Sequence, residues 1–147
     1  MNLLELGVIA KNTAKKAGKF LLSQKSEEKL ITSEKGRDIK LELDRKTEEL
    51  IRKELAITKI QVQGEEIVSK IDQKLRWVVD PIDGTANYFR GLNQCCVSIA
   101  LMNEHECQIG LIYDFNSDEC YEAIKGHGAK LNNCLLYTSP SPRDTRR

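Results

Sequence analysis

The stretch Trp77–Asn87, WVVDPIDGTAN, decides how this chain of 147 residues is organised. An apolar run, typical of a buried strand, ends there in two aspartates, Asp80 and Asp83, which are separated by a proline and an isoleucine. Proline fixes φ and removes a backbone donor, so the chain must turn at this point. Gly84 follows, and glycine lets a ligand approach the backbone closely. We therefore predict a strand that ends in a turn carrying two carboxylates.

The chemistry of this turn favours a divalent cation. Two carboxylates held close together repel each other, and a shared cation relieves the repulsion. Oxygen ligands suit a hard ion, so Mg²⁺ is favoured over Ca²⁺ or Mn²⁺. Glu65 and Glu66 offer further carboxylates, and Thr85 is predicted to begin a helix whose free N–H groups favour a phosphate. Together these features indicate metal-assisted hydrolysis of a phosphate ester.

The residues alone leave a structural alternative open. A tight turn with an aspartate capping a helix, beside surface glutamates, needs no ligand at all. Asp44 has the same two interpretations, because it precedes the helical sequence RKTEELIRKELAIT, and aspartate is a good N-cap.

The sequence before the turn predicts two helices. Leu3, Leu6 and several later small or apolar residues recur at helical spacing, which predicts a helix over residues 2–25. Residues 26–38 are polar and contain a glycine, so a loop is predicted. Ile39, Leu41 and Leu43 then alternate with polar residues, as in a short strand, before the second helix over residues 45–58.

The sequence around and after the turn is rich in strands. A strand is predicted over residues 59–62, and short apolar runs with polar breaks between them follow the turn: residues 95–102, 106–114, 119–126 and 128–133. This pattern is typical of an antiparallel meander. The fold class is therefore α+β, or a layered α/β arrangement, with N-terminal helices and a largely antiparallel sheet.

Composition excludes several classes of protein. The net charge of +1 gives no electrostatic case for nucleic acid, and no apolar run is long enough for a membrane helix. The five cysteines include no CxxC pair, and we do not expect a signal peptide, because Glu5 interrupts the apolar start of the chain. We expect reduced thiols in a cytoplasmic protein, mostly as small core residues.

The last fourteen residues, CLLYTSPSPRDTRR, differ from the rest of the chain. They hold two of the three prolines and end in basic residues. We interpret residues 134–147 as a non-native tail, because LYTSPSPRD looks like translated sequencing adaptor. A disordered tail is the alternative. The domain is then expected to cover residues 1–133.

The motifs GEE at residues 64–66, WVVDPIDGTANYFRGL at 77–92, VSIAL at 97–101 and GLIYD at 110–114 occur in an order that resembles the inositol monophosphatase family. Members of that family are Mg²⁺-dependent, lithium-sensitive phosphatases. The resemblance covers about residues 1–133 and implies a layered α/β sandwich. Haloacid-dehalogenase phosphatases differ, because they have one residue between the aspartates instead of two.

The resemblance implies a set of metal ligands. Glu65 would bind metal and help to orient the attacking water, and Asp80 would bridge two metals. Ile82 would contribute its backbone carbonyl, and Asp83 would hold the second metal. Glu66 would lie just behind these ligands.

The resemblance also implies residues that handle water and phosphate. Thr85 would hydrogen-bond the attacking water, and its backbone and that of Gly84 would receive the phosphate, next to Glu65, Ile82 and Asp83. Asp44 would support Thr85 in a proton-relay network. Lys35 has a weaker match to a basic residue near the phosphate.

The same resemblance implies a missing half. Family members are longer, and a Trp-Asp motif in their second half supplies a further metal ligand that the sequence after Asp83 lacks. We therefore expect an inactive or weakly active fragment of an inositol 1-phosphate phosphatase. The alternatives are a 3′(2′),5′-bisphosphate nucleotidase or another sugar phosphatase, and a non-catalytic fragment that binds metal or pairs with a partner. A homodimer is implied for a full-length protein.

Overall fold

The computed structural model describes residues 1–25 and 33–137, without the side chains of 33–41, Phe89 and Tyr137. Two long helices come first, α1 (Leu3–Lys25) and α2 (Ser33–Leu55), and a 3₁₀ turn (Ala56–Thr58) ends the second. A short helix, α3 (Thr85–Phe89), follows the second strand. The strands are β1 (Gln61–Gln63), β2 (Leu75–Asp83), β3 (Cys96–Asn103), β4 (Glu106–Asp114), β5 (Glu119–Ile124), β6 (Gly128–Leu131) and β7 (Cys134–Tyr137).

The described strands form one sheet in which each strand lies beside its neighbour in sequence, from β1 to β7. Strands β1 and β2 are parallel, and every later pair is antiparallel. The predicted meander is confirmed, and so is the fold class of N-terminal helices with a largely antiparallel sheet.

Helix α1 packs on the sheet through a stripe of buried residues spaced three or four apart, as predicted. Most of them are small, which lets the helix lie close to the strands β3, β4 and β5 that it contacts. Gly18 is the tightest point, because the ring of Tyr113 and the Cβ of Phe115 occupy the space beside its Cα. The members of the stripe are Leu6, Gly7, Ala10, Thr13, Ala14, Ala17, Gly18 and Leu21.

Helix α2 corrects two predictions. The expected strand at Ile39–Leu43 is helical, and Asp44 lies inside the helix instead of capping it. The loop predicted over residues 26–38 is helical from residue 33, and residues 26–32 lie outside the described part. The alternation over residues 39–43 was too short to distinguish a strand from a helix. Leu43 also fits a helical stripe with Ile51 and Leu55, and these three residues are buried in the core.

The two faces of the sheet differ. Trp77 and Val79 of β2 are buried in the core with the helices, whereas Val78 and Asp80 are only partly buried. Strand β3 repeats this alternation, with Val97, Ile99 and Leu101 in the core. Since side chains alternate along a strand, Asp80 belongs to the face that α1 and α2 do not cover.

Two predictions about composition also meet the structure. All five cysteines are free thiols, but only Cys95 and Cys120 are buried, so the expectation of mostly core cysteines is wrong. No helix in the described ranges is long and apolar enough to cross a membrane.

Of the proposed tail, Cys134–Tyr137 forms β7 against β6, and residues 138–147 lie outside the described part of the chain. The non-native origin of the tail stays a prediction.

Two glycines of α1 provide a matched test of its packing. A methyl group on Gly18 would lie 2.5 Å from Tyr113 Cε2 and 2.8 Å from Phe115 Cβ, whereas one on Gly7 would meet the movable end of Ile124 at 2.7 Å. Overpacking costs about 1–3 kcal/mol and exceeds the helix-propensity gain of up to about 1 kcal/mol. We expect Gly18→Ala to lower the free energy of unfolding by about 1–2 kcal/mol in urea titrations. Gly7→Ala should leave it unchanged or raise it, and equal effects of the two variants would refute this packing.

Candidate metal and phosphate site

A β-bulge brings the two aspartates to one face of the sheet. Side chains three residues apart normally point to opposite faces of a strand. Here Asp80 pairs with Ser98 and Asp83 with Cys96, so three steps along β2 match two along β3. The extra residue in β2 brings Asp83 back to the same face of the sheet as Asp80. Their partners on β3, Ser98 and Cys96, are two residues apart and therefore also share a face. Pro81, which has no N–H for the ladder, lies inside this irregular segment.

The Gly-Glu-Glu segment reaches the same edge of the sheet. It follows β1, which runs parallel to β2 with Gln63 opposite Val78. The carboxyl ends of parallel strands meet at one edge, where ligands bind in open sheets. Glu65 and Glu66 therefore come beside Asp80, as expected from the sequence. The Glu65 side chain is exposed, and that of Glu66 is half-buried.

The pKa of Asp80 shows the effect of the acidic side chains that lie near it. Burial, with repulsion from Glu65, Asp83 and Glu66, raises its pKa to about 6, although the Ile82 N–H, which donates to the carboxylate, opposes the rise. Burial and the charges of Glu48 and Glu65 also raise the pKa of Glu66. In the described part of the chain, no lysine or arginine forms an ion pair with any of the four site carboxylates. The site is thus a cluster of acids that lacks compensating charge from its own side chains.

Cys96 is a neighbour of the cluster that sequence reasoning did not identify. Its sulfur lies 4.0 Å from Asp83 Oδ2. Burial, and then the charges of Asp83 and Asp80, raise the pKa of this thiol to about 11, so it is a neutral neighbour at ordinary pH. The register of β3 fixes the contact, because Cys96 is the pairing partner of Asp83.

Gly84 and Thr85 complete the turn after the aspartates. Gly84 has φ of 88°, and a Cβ there would lie 2.5 Å from the Gln94 carbonyl oxygen, so both conformation and space require glycine. Asn87 donates to the same carbonyl at 2.9 Å. Thr85 begins α3 as predicted, and its hydroxyl donates to the Ile82 carbonyl oxygen at 2.8 Å. Helix α3 has five residues, so its dipole adds little to phosphate binding.

Glu48 is the second residue that sequence reasoning missed. It lies on α2, fully buried, and its carboxylate accepts the backbone N–H groups of Glu66 and Ile67. Arg52, one turn along the helix, donates to the same carboxylate at 3.1 Å. A signal existed in the sequence, since a glutamate in the apolar stripe of a helix has to find partners when it is buried.

The structure describes the position of Asp44 fully, whereas for Lys35 it describes only the backbone. Asp44 is 8% exposed within α2, one turn before Glu48. Its proposed support of Thr85 stays a prediction. Lys35 lies in the first turn of α2, and its side chain is outside the described part, so its match to the phosphate site is untested.

The residues present fit a hard cation by their chemistry. The carboxylates of Glu65 and Asp83 both act on that of Asp80, and the Ile82 carbonyl can accept one more contact beside the Thr85 hydroxyl. Among the described residues, no group of three or more His, Cys, Asp or Glu side chains is close enough to hold a metal ion in this structure. Since like charges repel, the carboxylates would have to draw together around a cation, which for Glu65 is a motion of an exposed side chain.

The chain matches the model of the inositol monophosphatase family over residues 2–147. It is 38% identical to an inositol-1-monophosphatase of Rhizobium meliloti over 128 residues, which are 82% of this chain and 48% of that protein. It is 31% identical to the Nus factor SuhB of Pasteurella multocida over 134 residues, 87% of this chain and 50% of that protein. The chain therefore spans about half the length of the curated relatives it matches.

Solved structures agree with these matches. Inositol monophosphatase-II of Staphylococcus aureus has a TM-score of 0.78 at 29% identity and covers 94% of this chain, with 53% of its own chain matched. The extragenic suppressor protein suhB of Bartonella henselae has a TM-score of 0.76 at 32% identity and covers 93%, with 55% of its own chain matched.

The raised pKa of Asp80 predicts an unusual stability effect. A carboxyl whose pKa is raised by folding stabilises the protein below its ordinary pKa of 3.8, and that contribution is lost as pH rises through about 6. Ionised Asp80 is thus unfavourable at pH 7.5 without metal. Because the group is partly solvated, we expect Asp80→Asn to raise the free energy of unfolding by about 1 kcal/mol at pH 7.5, and by less toward pH 4.

Urea denaturation in EDTA at both pH values measures this effect. Asp72→Asn is the matched control, because Asp72 is exposed and accepts only a surface hydrogen bond from Gln61. We expect the control to change stability by less than about 0.5 kcal/mol at either pH. A loss of stability in Asp80→Asn at pH 7.5 would contradict the acidic cluster.

Proposed function

The chain belongs to the inositol monophosphatase family, and on this premise we propose that its acidic site binds Mg²⁺ and serves the hydrolysis of a phosphate monoester. The favoured substrate is inositol 1-phosphate, with inositol and inorganic phosphate as products. The observation that carries the proposal is the convergence of Glu65 and Asp83 on Asp80, where burial and then repulsion from these two carboxylates raise the Asp80 pKa to about 6. Such an arrangement is costly unless a cation uses it.

The proposed ligands come from two neighbouring strand ends. Glu65 contributes a carboxylate from the segment after β1, and Asp80 and Asp83 contribute theirs from the bulged end of β2. The Ile82 carbonyl supplies a neutral oxygen. When bound, magnesium would activate a water molecule and neutralise charge on the phosphate oxygens.

The remaining residues orient the reactants. Thr85 would hydrogen-bond the attacking water: its hydroxyl donates to the Ile82 carbonyl oxygen at 2.8 Å, and its oxygen can still accept a hydrogen bond from water. Its N–H and that of Gly84 would receive phosphate oxygens. Glu65 would orient the same water, and Asp44, from α2, would support Thr85. Glu66 would lie just behind the proposed ligands, and its charge is the smallest of the causes that raise the Asp80 pKa.

The substrate class follows from charge as well as from family. An acidic site accepts a phosphate only through a bound cation, so a small phosphorylated molecule suits it better than a nucleic acid backbone. Inositol 1-phosphate, a 3′(2′),5′-bisphosphate nucleotide and other sugar phosphates share this chemistry. Parallel assays with inositol 1-phosphate and 3′-phosphoadenosine 5′-phosphate distinguish them. A cytoplasmic location, suggested by the free thiols, belongs to the same proposal.

A non-catalytic function is the second candidate, and the open sheet face favours it. Large apolar side chains, Ile112, Tyr121 and Leu136, are between 40% and 53% exposed on strands of this sheet. Ala100, Gly110 and Leu136 are among the residues that line a groove of about 340 Å³ there. A second copy of this chain could cover that face. Light scattering coupled to size exclusion decides this point, because self-association grows with concentration and a monomer does not change.

Magnesium titration tests the proposed site directly. Calorimetry on the 147-residue chain at pH 7.5 should show Mg²⁺ binding that Asp80→Asn weakens by at least about tenfold, because one of the proposed carboxylate ligands is lost. Asp72→Asn should bind like the parent chain. Phosphate release from inositol 1-phosphate should stay near background, because the resemblance implies a further ligand that this sequence lacks.

Two results would change the proposal. Absence of Mg²⁺ binding in the parent chain would refute the metal site. Magnesium-dependent phosphate release at ordinary enzyme rates would confirm the reaction and would refute the expectation of an inactive fragment.

A further inference from the structure

We infer that Glu48 is a positioning residue that holds the Gly64–Ile67 segment so that Glu65 faces Asp80. The inference rests on the proposed function in one respect, because its consequence is read in the metal affinity of the Glu65–Asp80 site. We call the hydrogen bonds from the Glu66 and Ile67 N–H groups to the Glu48 carboxylate the clamp. These bonds are present in the chain without metal.

The carboxylate of Glu48 holds two consecutive backbone groups. Its Oε1 accepts the N–H of Glu66 at 2.9 Å, and its Oε2 accepts the N–H of Ile67 at 2.9 Å. The side chain is fully buried, so water does not compete for these contacts. Two bonds from one rigid carboxylate fix both the position and the orientation of the peptide groups that follow Glu65.

Arg52 secures the clamp from the other side. Its Nε donates to Glu48 Oε2 at 3.1 Å, and its guanidinium also donates to the Ile67 carbonyl at 2.9 Å. A longer contact of 3.4 Å reaches Ser69 Oγ, which itself donates to the Val62 carbonyl of β1. The N–H groups of Glu66 and Ile67 and the Ile67 carbonyl are thus all bound by side chains of α2. Both of these side chains come from one turn of that helix.

Gly64 shows how tightly the carboxylate fits. A Cβ at Gly64 would overlap the carboxylate of Glu48, so any larger residue would displace the clamp or the segment. The glycine of the Gly-Glu-Glu motif is therefore required by Glu48. A glutamine could fill the same space but could not do the same work, because its amide nitrogen is a donor and would face an N–H or the guanidinium.

The clamp explains why a carboxylate stands close to other carboxylates. The charge of Glu48 repels that of Glu66, so a carboxylate at this position has an electrostatic cost. An acceptor-only group is needed because two N–H groups and a guanidinium converge on one point. The arrangement fixes the backbone of the acidic segment while leaving the Glu65 side chain exposed and available to a cation.

Glu48→Gln tests the inference, with Glu49→Gln as the matched control on the exposed face of the same helix. Two measurements are made at a temperature at which circular dichroism shows both variants folded. Amide hydrogen exchange without metal reports the clamp, and calorimetric titration with Mg²⁺ alone reports its consequence. We expect the Glu66 and Ile67 amides of Glu48→Gln to exchange at least about tenfold faster than in the parent chain, and its Mg²⁺ Kd to rise about 10- to 100-fold. Glu49→Gln should match the parent in both.

The outcomes separate the clamp from the proposed function. Parent-like exchange at Glu66 and Ile67 in Glu48→Gln, or an increase shared equally by core amides, would overturn the inference. Faster exchange at those two amides with an unchanged Mg²⁺ Kd would also overturn it, because Glu48 would then support only the loop. If the parent chain binds no Mg²⁺, the proposed function fails, and the exchange result alone still decides the clamp.

Arg52→Gln covers the case in which Glu48→Gln does not fold. It keeps the carboxylate and both N–H contacts but removes the ion pair with Glu48, the bond to the Ile67 carbonyl and the longer contact with Ser69. We expect the same two changes at smaller size, about three- to tenfold in Kd. Parent-like values in this variant would count against the inference.

Discussion

The site depends on a bulge in β2, which sets the face of the sheet to which each aspartate points. A regular strand would send Asp80 and Asp83 to opposite faces, and the residue gained in the bulge returns them to the same one. Pro81 suits that irregular segment because it has no N–H to leave unpaired. The tight approach of Gly84 to Gln94 then closes the turn, and this is where the chain leaves the sheet. The pairing of the two aspartates follows from this local departure from β geometry.

Helix α2 connects this edge to the core. One side of the helix buries Ile51 and Leu55, and the same stripe carries Glu48 to the segment after β1. The hydrophobic packing that sets the position of the helix therefore also sets where the acidic segment lies. Repulsion within the cluster opposes this order, so the rigid elements have to hold together what the charges would separate. Stability and site geometry are properties of the same contacts.

The sequence was most informative where local patterns were strong. The spacing of α1, the apolar run of β2 and the breaks of the meander predicted those elements well, and the motif around Asp80 predicted a turn that carries two carboxylates at the end of β2. The start of α2 was missed because five alternating residues fit a strand and a helix equally, and burial against the sheet decides between them. Glu48 was missed because its partners are backbone groups far along the chain, which no spacing rule reveals.

The order of the strands has a consequence for how the chain forms during synthesis. From β2 onward each strand pairs with the one made just before it, so loop closures are short and the meander can grow as it emerges. Helix α1 contacts α2, the next element along the chain, but its buried stripe also packs on β3, β4 and β5, which are made later. The part of the stripe that faces the sheet is made first and covered last. While it waits on the ribosome it is an exposed apolar surface, the kind that recruits chaperones or aggregates.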